Sequence, residues 1–415
     1  CRQSPHDFAG KPYNHAIAAI SSRMRILVVT SQFPVAGEPT RGRPILQTVR
    51  ELAKLAEVRV VSPVARYPRW AQPRSYLARS GMSQIAVEGV QVDYVDYRAL
   101  PLLTRPFNGW LCARAITAAA QRFVPDVVLS YWLYPDAWGA MRVARALGVP
   151  LVAGARGSDI RVRDPISRAL TRSVVNSAQR LLVVSEDLGR LAASDYGAEP
   201  TRVCAIPNGC DARLFQRRDR AAARRQLGID AEAELIVYVG RLVPEKGLRE
   251  LVSAMRTLAV SHPRARAVLL GDGPMRAELE ATLQREPTLP LSLGGAQVPE
   301  QVAIWLAAAD LLTLPSWSEG HPNVLVEAQA CGRAVVACAV GGVPEAVDAQ
   351  SAILIPARDA PALTEALHRA LTRAWDEQAI SQRYSRDWSD VAAETLANCQ
   401  AAQDEYARTT MQAAE

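Results

Sequence analysis

Pro315-Ser-Trp-Ser-Glu319-Gly-His-Pro-Asn-Val-Leu-Val-Glu327 runs on into Ala328-Gln-Ala-Cys-Gly-Arg-Ala-Val-Val-Ala337 and, two residues later, Val340-Gly-Gly-Val-Pro-Glu345. A loop carries Glu319 and Gly320, a helix starts near Pro322, and Gly332 falls where a C-terminal cap belongs. Ala334 to Cys338 is a short apolar run, read as a buried strand. Proline at a helix start has no amide proton to offer, so Asn323, Val324 and Leu325 are expected to leave N–H groups pointing out of the helix end. Such an end holds anions, because the free donors and the helix dipole act together. Glu319 lies just before this end and Glu327 one turn inside it. A phosphate sits poorly between two carboxylates, whereas sugar hydroxyls suit them as acceptors. The ligand outlined is a phosphate flanked by two polyols, the shape of a nucleotide sugar. Two acids on a helical stretch are also common as solvated charge, so the surroundings must decide.

Outward towards the N-terminus, Leu235-Ile-Val-Tyr-Val-Gly240 reads as a strand that runs into Arg241-Leu-Val-Pro-Glu-Lys246-Gly247. Two cations at a strand end, on a glycine-bounded loop, suit a diphosphate and would neutralise it as a leaving group. Two ordinary surface cations are the alternative. Ala267-Val-Leu-Leu-Gly271-Asp-Gly273-Pro274 is a further strand and glycine loop, a pattern shared by many folds. Strand, loop and helix alternate through this half.

Glu319 and Glu327, with seven residues between them, resemble the paired-glutamate motif of the retaining glycosyltransferases of family 4. The Pro-Ser-x-x-Glu-Gly around Glu319, the Val-Gly-Gly-Val-Pro-Glu of 340–345, and Gly240-Arg241 through Lys246-Gly247 are similar to the same family. The matched motifs run from about residue 25 to 395. The resemblance implies an α/β chain of GT-B type: two Rossmann-like domains facing across a cleft, with a C-terminal helix crossing back to the first. It implies that Arg241 and Lys246 bind the donor diphosphate and that the Asn323, Val324 and Leu325 amides assist. Glu327 would take the ribose, and Glu319 with the Gly320–His321 backbone would hold sugar hydroxyls. Gly240, Gly271 and Gly273 would let the backbone approach the donor. At another strand end the family often has His-Gly-x-Asp, where this chain has Arg156-Gly-Ser-Asp159. Arginine is no base near neutral pH but can hold a phosphate or a hydroxyl. The same Arg variant is similar to bacterial cell-surface polysaccharide enzymes of the family.

The 415 residues suggest two or three domains of ordinary size. With 49% hydrophobic and 22% charged residues the composition is globular. The net charge of +6 fits an anionic ligand or a membrane surface without proving either. No apolar run reaches membrane-spanning length. Seven scattered cysteines with no Cys-x-x-Cys argue for a reducing compartment and against a zinc site. The five histidines are His6, His15, His262, His321 and His368. None falls between Met24 and Ser261, so a Ser-His-Asp hydrolase built wholly from the first domain is excluded. Asp-x-Asp, the common metal–diphosphate signature, does not occur.

In the first half, Met24 to Thr30 is a buried strand, followed by a loop through Gln32-Phe-Pro34 and Glu38 to Gly42 and a helix from about Pro44 to Ala56. Gly-x-Gly-x-x-Gly is missing, which argues against a nicotinamide dinucleotide. Gly42 either lets backbone approach a diphosphate or is an ordinary turn glycine. Val58 to Val61 is a strand, residues 62–110 read as loops and short strands with Val90 to Tyr97 the clearest, and Val127 to Ser130 is the next strand. Tyr131, Trp132, Tyr134 and Asp136 then cluster at a strand's C-terminal end, where open α/β sheets bind ligands. Aromatic faces stack on sugars, so the cluster is a candidate acceptor surface, with core packing preferred for Trp132. Arg161 to Arg172 holds four arginines. It reads as a solvated helix face in preference to a segment lying on an anionic membrane. Leu181 to Ser185 reads as the last strand of this half, and Arg217 to Arg225 as a solvent-facing helix start.

The expectation is a metal-independent retaining hexosyltransferase without cofactor. Glu319, Arg241, Lys246 and Arg156 form the reaction centre, and Tyr131, Trp132, Tyr134 and Asp159 face the acceptor. Its partners would be a nucleotide diphosphate sugar, a glycan or lipid-linked acceptor and a peripheral membrane contact, with no nucleic acid. It would be cytoplasmic, or held on the inner face of the plasma membrane. Residues 1–23 would be a disordered leader, 24–205 the acceptor-side domain, 206–375 the nucleotide-sugar domain and 376–400 the returning helix, with the last fifteen residues frayed. Two rivals use the same motifs. A sugar-nucleotide epimerase would need buried carboxylates such as Asp136 or Asp159, and a non-catalytic binder would need no Glu319.

Overall fold

The structure is a computed structural model and describes residues 23–35, 41–68, 70, 84–101, 103–162, 164–384 and 386–412. The expected leader up to residue 22, the loop residues 38–40 and Arg163 lie outside the described residues. The first half comprises β1 (Arg25–Val29), α1 (Arg43–Leu55), β2 (Glu57–Arg66), β3 (Gln84–Val87), β4 (Val90–Arg98), α2 (Asn108–Phe123), β5 (Val127–Tyr131), α3 (Trp138–Leu147), β6 (Leu151–Ala155), α4 (Pro165–Ser177), β7 (Arg180–Val183), α5 (Glu186–Tyr196) and β8 (Val203–Ala205). Ile26, Leu27, Val28 and Val29 are all fully buried. A strand apolar on both faces must be covered on both, which places β1 at the centre of a parallel sheet. The order is β3-β4-β2-β1-β5-β6-β7-β8, parallel except for β3 at the edge.

The second half follows the same logic with β9 (Glu234–Val239) at the centre. It comprises α6 (Arg220–Leu227), α7 (Leu248–Ser261), β10 (Ala265–Leu270), α8 (Arg276–Arg285), β11 (Leu291–Gly295), α9 (Pro299–Ala308), β12 (Leu311–Leu314), α10 (Asn323–Ala330), β13 (Ala334–Cys338), α11 (Val343–Ala346), β14 (Ala352–Ile355) and α12 (Ala360–Thr372). The sheet order is β11-β10-β9-β12-β13-β14. In each sheet the order reverses beside the first strand, between β1 and β5 and between β9 and β12. Such switch points leave a crevice at the strand ends where ligands bind. Helix α10 starts after Pro322 and stops at Gly332, whose φ of 75° only glycine adopts at low cost.

After α13 (Glu377–Arg383), α14 (Trp388–Gln412) leaves the second half and lies along α1 and the ends of β5 to β7. Trp388, Val391, Ala392, Cys399 and Ala402 join the core around Ile26 and Leu129. This corrects the frayed end: the helix continues to Gln412, with its last buried residue at Ala402 and with Glu405 beyond it paired to Arg180 of β7. Three more expectations are corrected. Strand β2 extends to Arg66, because β4 pairs along it to Arg98. The last strand of the first sheet is β8, which adds beside β7. Arg224 on α6 is not solvent-facing but buried, giving its guanidinium to Asp310 at 2.6 Å and to the Ala308 carbonyl at 3.1 Å.

Candidate active site

The loops after β9, β12 and β13 are fitted backbone to backbone. Gly247 ends the loop after β9 with φ 66°, and a Cβ there would stand 2.0 Å from the Pro315 carbonyl oxygen. Gly341, after β13, has φ 55° and leaves 1.9 Å between such a Cβ and the Glu319 carbonyl oxygen. No other residue fits either place, and together they hold residues 315–320 against the Arg241–Lys246 loop. The result is an ion pair, Lys246 Nζ to Glu319 Oε1 at 2.5 Å, both largely shielded. Arg241 is exposed beside it and, among the described residues, forms no ion pair; its carbonyl accepts from the Tyr238 hydroxyl at 2.8 Å. Gly240 and Gly271 meet where the loops leave β9 and β10, and the Gly273 amide is taken by Asp272 Oδ1 at 2.7 Å.

The Asn323 and Val324 amides have no acceptor among the described residues, so the start of α10 does carry bare donors. Leu325 does not supply one: its N–H turns back to the Pro322 carbonyl at 3.1 Å, tightening the first turn. Glu327 is partly buried. Loss of solvent pushes its carboxyl up to about 7, against a smaller opposing pull from Arg43 of the first half. His321 is buried with Nδ1 unpartnered, and desolvation, helped by Arg386 and Arg156, pushes its pKa down to about 4. It is therefore neutral at physiological pH. The Gly320 and His321 carbonyls are engaged, by the Gly342 amide at 3.0 Å and the Asn208 side chain at 3.3 Å.

The first half closes over this loop. A Cβ on Gly320 would lie 2.5 Å from the Arg156 carbonyl oxygen, so the two halves touch at the residues singled out in each. The Arg156 guanidinium lies 4.7 Å from the Tyr131 ring centroid and donates to Asn208 Oδ1 at 2.6 Å. Burial lowers the Arg156 pKa, opposed by Tyr131 and Asp159. Asp159 Oδ1 accepts both the Arg156 and Gly157 amides at 2.9 Å. Tyr131 is buried beneath Arg156, whereas Trp132, Tyr134 and Asp159 line a separate pocket. Gly42 is the cap residue of α1, with φ 58° and its Cα against the Gln32 carbonyl. Asp136 Oδ2 accepts from the Ser31 amide at 2.5 Å, its Oδ1 is buried without a partner, and burial pushes the carboxyl up to about 7.

Two site residues escaped the sequence reading. Asn208 joins Arg156 of the first half to His321 and, at 2.7 Å, to Asn323 Oδ1 of the second. Glu345 accepts the Glu186 and Asp187 amides at 2.7 and 2.8 Å, capping α5 from the opposite half. Each bond spans more than fifty residues of sequence, which no local signal encodes. Among the described residues no group of three or more His, Cys, Asp or Glu could hold a metal ion, and no helix is long and apolar enough to cross a membrane.

Two Rossmann-like halves meeting across a cleft, with exposed amides, cations and glutamates at one mouth, define the GT-B architecture. Sucrose-phosphate synthase from Thermosynechococcus elongatus shares it at a TM-score of 0.71 and 21% identity, over 95% of this chain and 100% of that one. HepE from Anabaena, solved with UDP, shares it at 0.69 and 19%, over 90% and 99%. Residues 42–214 match the family description Glycosyltransferase Family 4, and residues 233–373 match Glycosyl transferases group 1. TuaC of Bacillus subtilis strain 168, named for teichuronic acid biosynthesis, is 31% identical over 359 residues, 83% of this chain and 89% of TuaC. The chain belongs to glycosyltransferase family 4.

Proposed function

We propose that this enzyme moves a hexose from a nucleoside diphosphate sugar to a glycan or lipid-linked acceptor, with retention at the anomeric carbon and without a metal ion, in cell-surface polysaccharide synthesis. Residues 24–205 would present the acceptor, residues 206–375 would hold the donor, and residues 376–400 would bridge the two. The observation that carries the reading is the Lys246–Glu319 pair beside Arg241 and the bare Asn323 and Val324 amides. The diphosphate lies across those amides, and Arg241 and Lys246 supply the positive charge that a divalent ion would otherwise bring. As the sugar–phosphate bond breaks, its electron pair passes to the leaving phosphate, and the acceptor oxygen bonds to the anomeric carbon on the same face. The acceptor proton goes to the leaving phosphate oxygen, so the step needs an anchor for the leaving group more than a protein base. Glu319 holds sugar hydroxyls and Glu327 the ribose. Arg156, fixed by Asn208, faces the reacting sugar from the first half.

TuaC supports the polysaccharide assignment, and UDP in HepE supports a uridine donor. A peripheral membrane contact is supported by four large apolar residues exposed close together. Leu103, Phe107 and Trp110 lie before and within the start of α2, and Ile166 lies in the first turn of α4. The Arg105–Asp164 pair at 2.9 Å ties these two segments to each other, and Arg114 stacks on Trp110. Such a contact would place the enzyme on the inner face of the plasma membrane.

Thermal-shift measurements against uridine, guanosine and adenosine diphosphate sugars test the donor site, and a large shift with one of them is expected. Glu319→Gln should lower transfer by about 100-fold or more, the scale of losing one group aimed at the reacting centre. Full activity in that variant would exclude the reading. A single product isomer formed from the nucleotide sugar alone would favour an epimerase instead.

A further inference from the structure

The segment that brings Glu319 to Lys246 touches the lysine's own loop on both sides of it. A Cβ on Gly247 would stand 2.0 Å from the Pro315 carbonyl oxygen, and the Trp317 amide donates to the Glu245 carbonyl at 2.8 Å. Between these contacts the Lys246 ammonium meets Glu319 Oε1 at 2.5 Å. From the end of β12 to Glu319, few side chains are anchored. Ser316 Oγ is buried without a partner, and Ser318 forms no side-chain hydrogen bond among the described residues. Trp317 is the exception. Its Nε1–H donates to Glu250 Oε1, in the first turn of α7, at 3.0 Å. Glu250 Oε2 is buried and bare, so the indole is the hydrogen-bond partner of this carboxylate among the described residues.

Arg358 adds an independent observation from the turn between β14 and α12. Its guanidinium lies 4.3 Å from the Trp317 ring centroid. Its backbone sits at φ 63°, which glycine adopts freely and arginine only at a cost. The residue is exposed and forms no ion pair among the described residues. Neither burial nor a carboxylate partner accounts for an arginine in this strained turn, whereas the indole face does. Trp317 is thus held at its edge by α7 and on its face by the turn after β14, while its amide holds the loop after β9.

We propose that Trp317 and Arg358 are positioning residues for the leaving-group site, a role that rests on the transferase reading above. A diphosphate arriving at Lys246 and a sugar hydroxyl at Glu319 must part an ion pair that is closed at 2.5 Å. Once the pair opens, the side-chain tie between the two loops is gone. The clamped indole then keeps the backbone beside Lys246 against residues 315–319, and the ammonium reaches the outer phosphate from a fixed base. A charge-assisted contact depends on both distance and direction, so a loose base weakens it steeply. Both residues act through Lys246 and Glu319 and not on the donor itself.

Calorimetry and amide exchange on the full chain test this together. Uridine, guanosine and adenosine diphosphates are titrated beside their monophosphates, which lack the phosphate assigned to Lys246. Trp317→Phe keeps a ring and loses the Nε1–H, Arg358→Gly loses the cation and relaxes the turn, and Arg358→Lys keeps a cation. The first two should each lower diphosphate affinity about three- to tenfold, the scale of one cation–π contact or one hydrogen bond to a charged group, and leave the monophosphate unchanged. Exchange at the amide of residue 317 should quicken about tenfold in both. Arg358→Lys should recover most of the affinity and the protection. Arg358→Gly should melt within about 2 °C of wild type, because relaxing the turn offsets the lost contact. A lower melting temperature with an unchanged ratio of diphosphate to monophosphate affinity would reduce the clamp to a stabilising contact and overturn the proposal. Unaltered exchange at residue 317 would overturn it as well, with the donor reading intact if a diphosphate binds. No diphosphate binding in wild type, with exchange at residue 317 still quickened in the variants, keeps the clamp and removes the donor reading.

Discussion

The two halves use one sheet plan in opposite ways. Around β9 the ligand side is made largely of backbone: Gly247 against Pro315, Gly341 against Glu319, and bare amides at the start of α10, with the side chains of Lys246, Arg241 and Glu319 adding charge. Around β5 and β6 it is made of side chains, with Trp132, Tyr134 and Asp159 lining a pocket at the strand ends. A backbone cradle fits a ligand part that is the same in every donor, such as a diphosphate, and it tolerates almost no change. Side chains fit a part that differs from one acceptor to the next, because each can be exchanged without moving the chain.

The largest expected effect lies on the backbone side. Lys246→Ala removes a leaving-group cation and strands the shielded Glu319 carboxylate, so transfer should fall about 100- to 1,000-fold in a rate assay at saturating acceptor. Trp132→Ala, on the side-chain side, should act mainly on the acceptor KM. If both variants reduced kcat equally, the contrast between the halves would be wrong.

Next comes a stability comparison between glycines. Gly341→Ala combines a left-handed φ with a Cβ 1.9 Å from the Glu319 carbonyl oxygen, whereas Gly148, φ 66°, has nothing within 4 Å. Gly148→Ala should cost about 1 kcal/mol in urea unfolding. Gly341→Ala should cost several times that, or displace residues 319–320 and remove donor binding. Equal midpoints would show that the cradle is looser than its contacts imply. Asn208→Ala should follow, at about 1–3 kcal/mol, because it leaves the Arg156 guanidinium and Asn323 without their cross-cleft partner.

This contrast also explains what could be read from sequence. Strand β13 lies at Ala334–Cys338 and α10 runs between Pro322 and Gly332 as expected, because proline, glycine and an uninterrupted apolar run are local signals. The loops that carry Glu319, Lys246 and Arg241 stand out in the sequence for the same reason: a backbone cradle must write its glycines into the chain. The rest depends on partners distant in sequence. Strand β2 runs through Ser62 and Pro63 only because β4 pairs with it some thirty residues later. Helix α14 packs as far as Ala402 on a core that begins at Ile26, and Arg224 is buried by Asp310. Asn208 and Glu345 acquire their contacts only when the halves meet.

The smallest expected effect lies where Arg43 of the first half acts through charge on Glu327 of the second. Burial pushes the Glu327 carboxyl up to about 7, and Arg43 on α1 pulls it back down. Folding therefore favours the protonated acid. Wild-type stability attributable to Glu327 is fullest below the unfolded value, about 4.5, falls as pH rises from there to about 7, and is level above that. Glu327→Gln cannot ionise, so its melting temperature should match wild type near pH 4 and exceed it by a few degrees at pH 8. Arg43→Ala, which removes the opposing charge, should move the wild-type decline to higher pH. Bound UDP should have the opposite effect, since ribose hydroxyls donating to Glu327 favour its ionised form. The melting advantage of Glu327→Gln at pH 8 should then shrink or reverse when UDP is present. An advantage unchanged by UDP would place the ribose elsewhere, and a decline indifferent to Arg43→Ala would mean that the halves do not approach each other at α10.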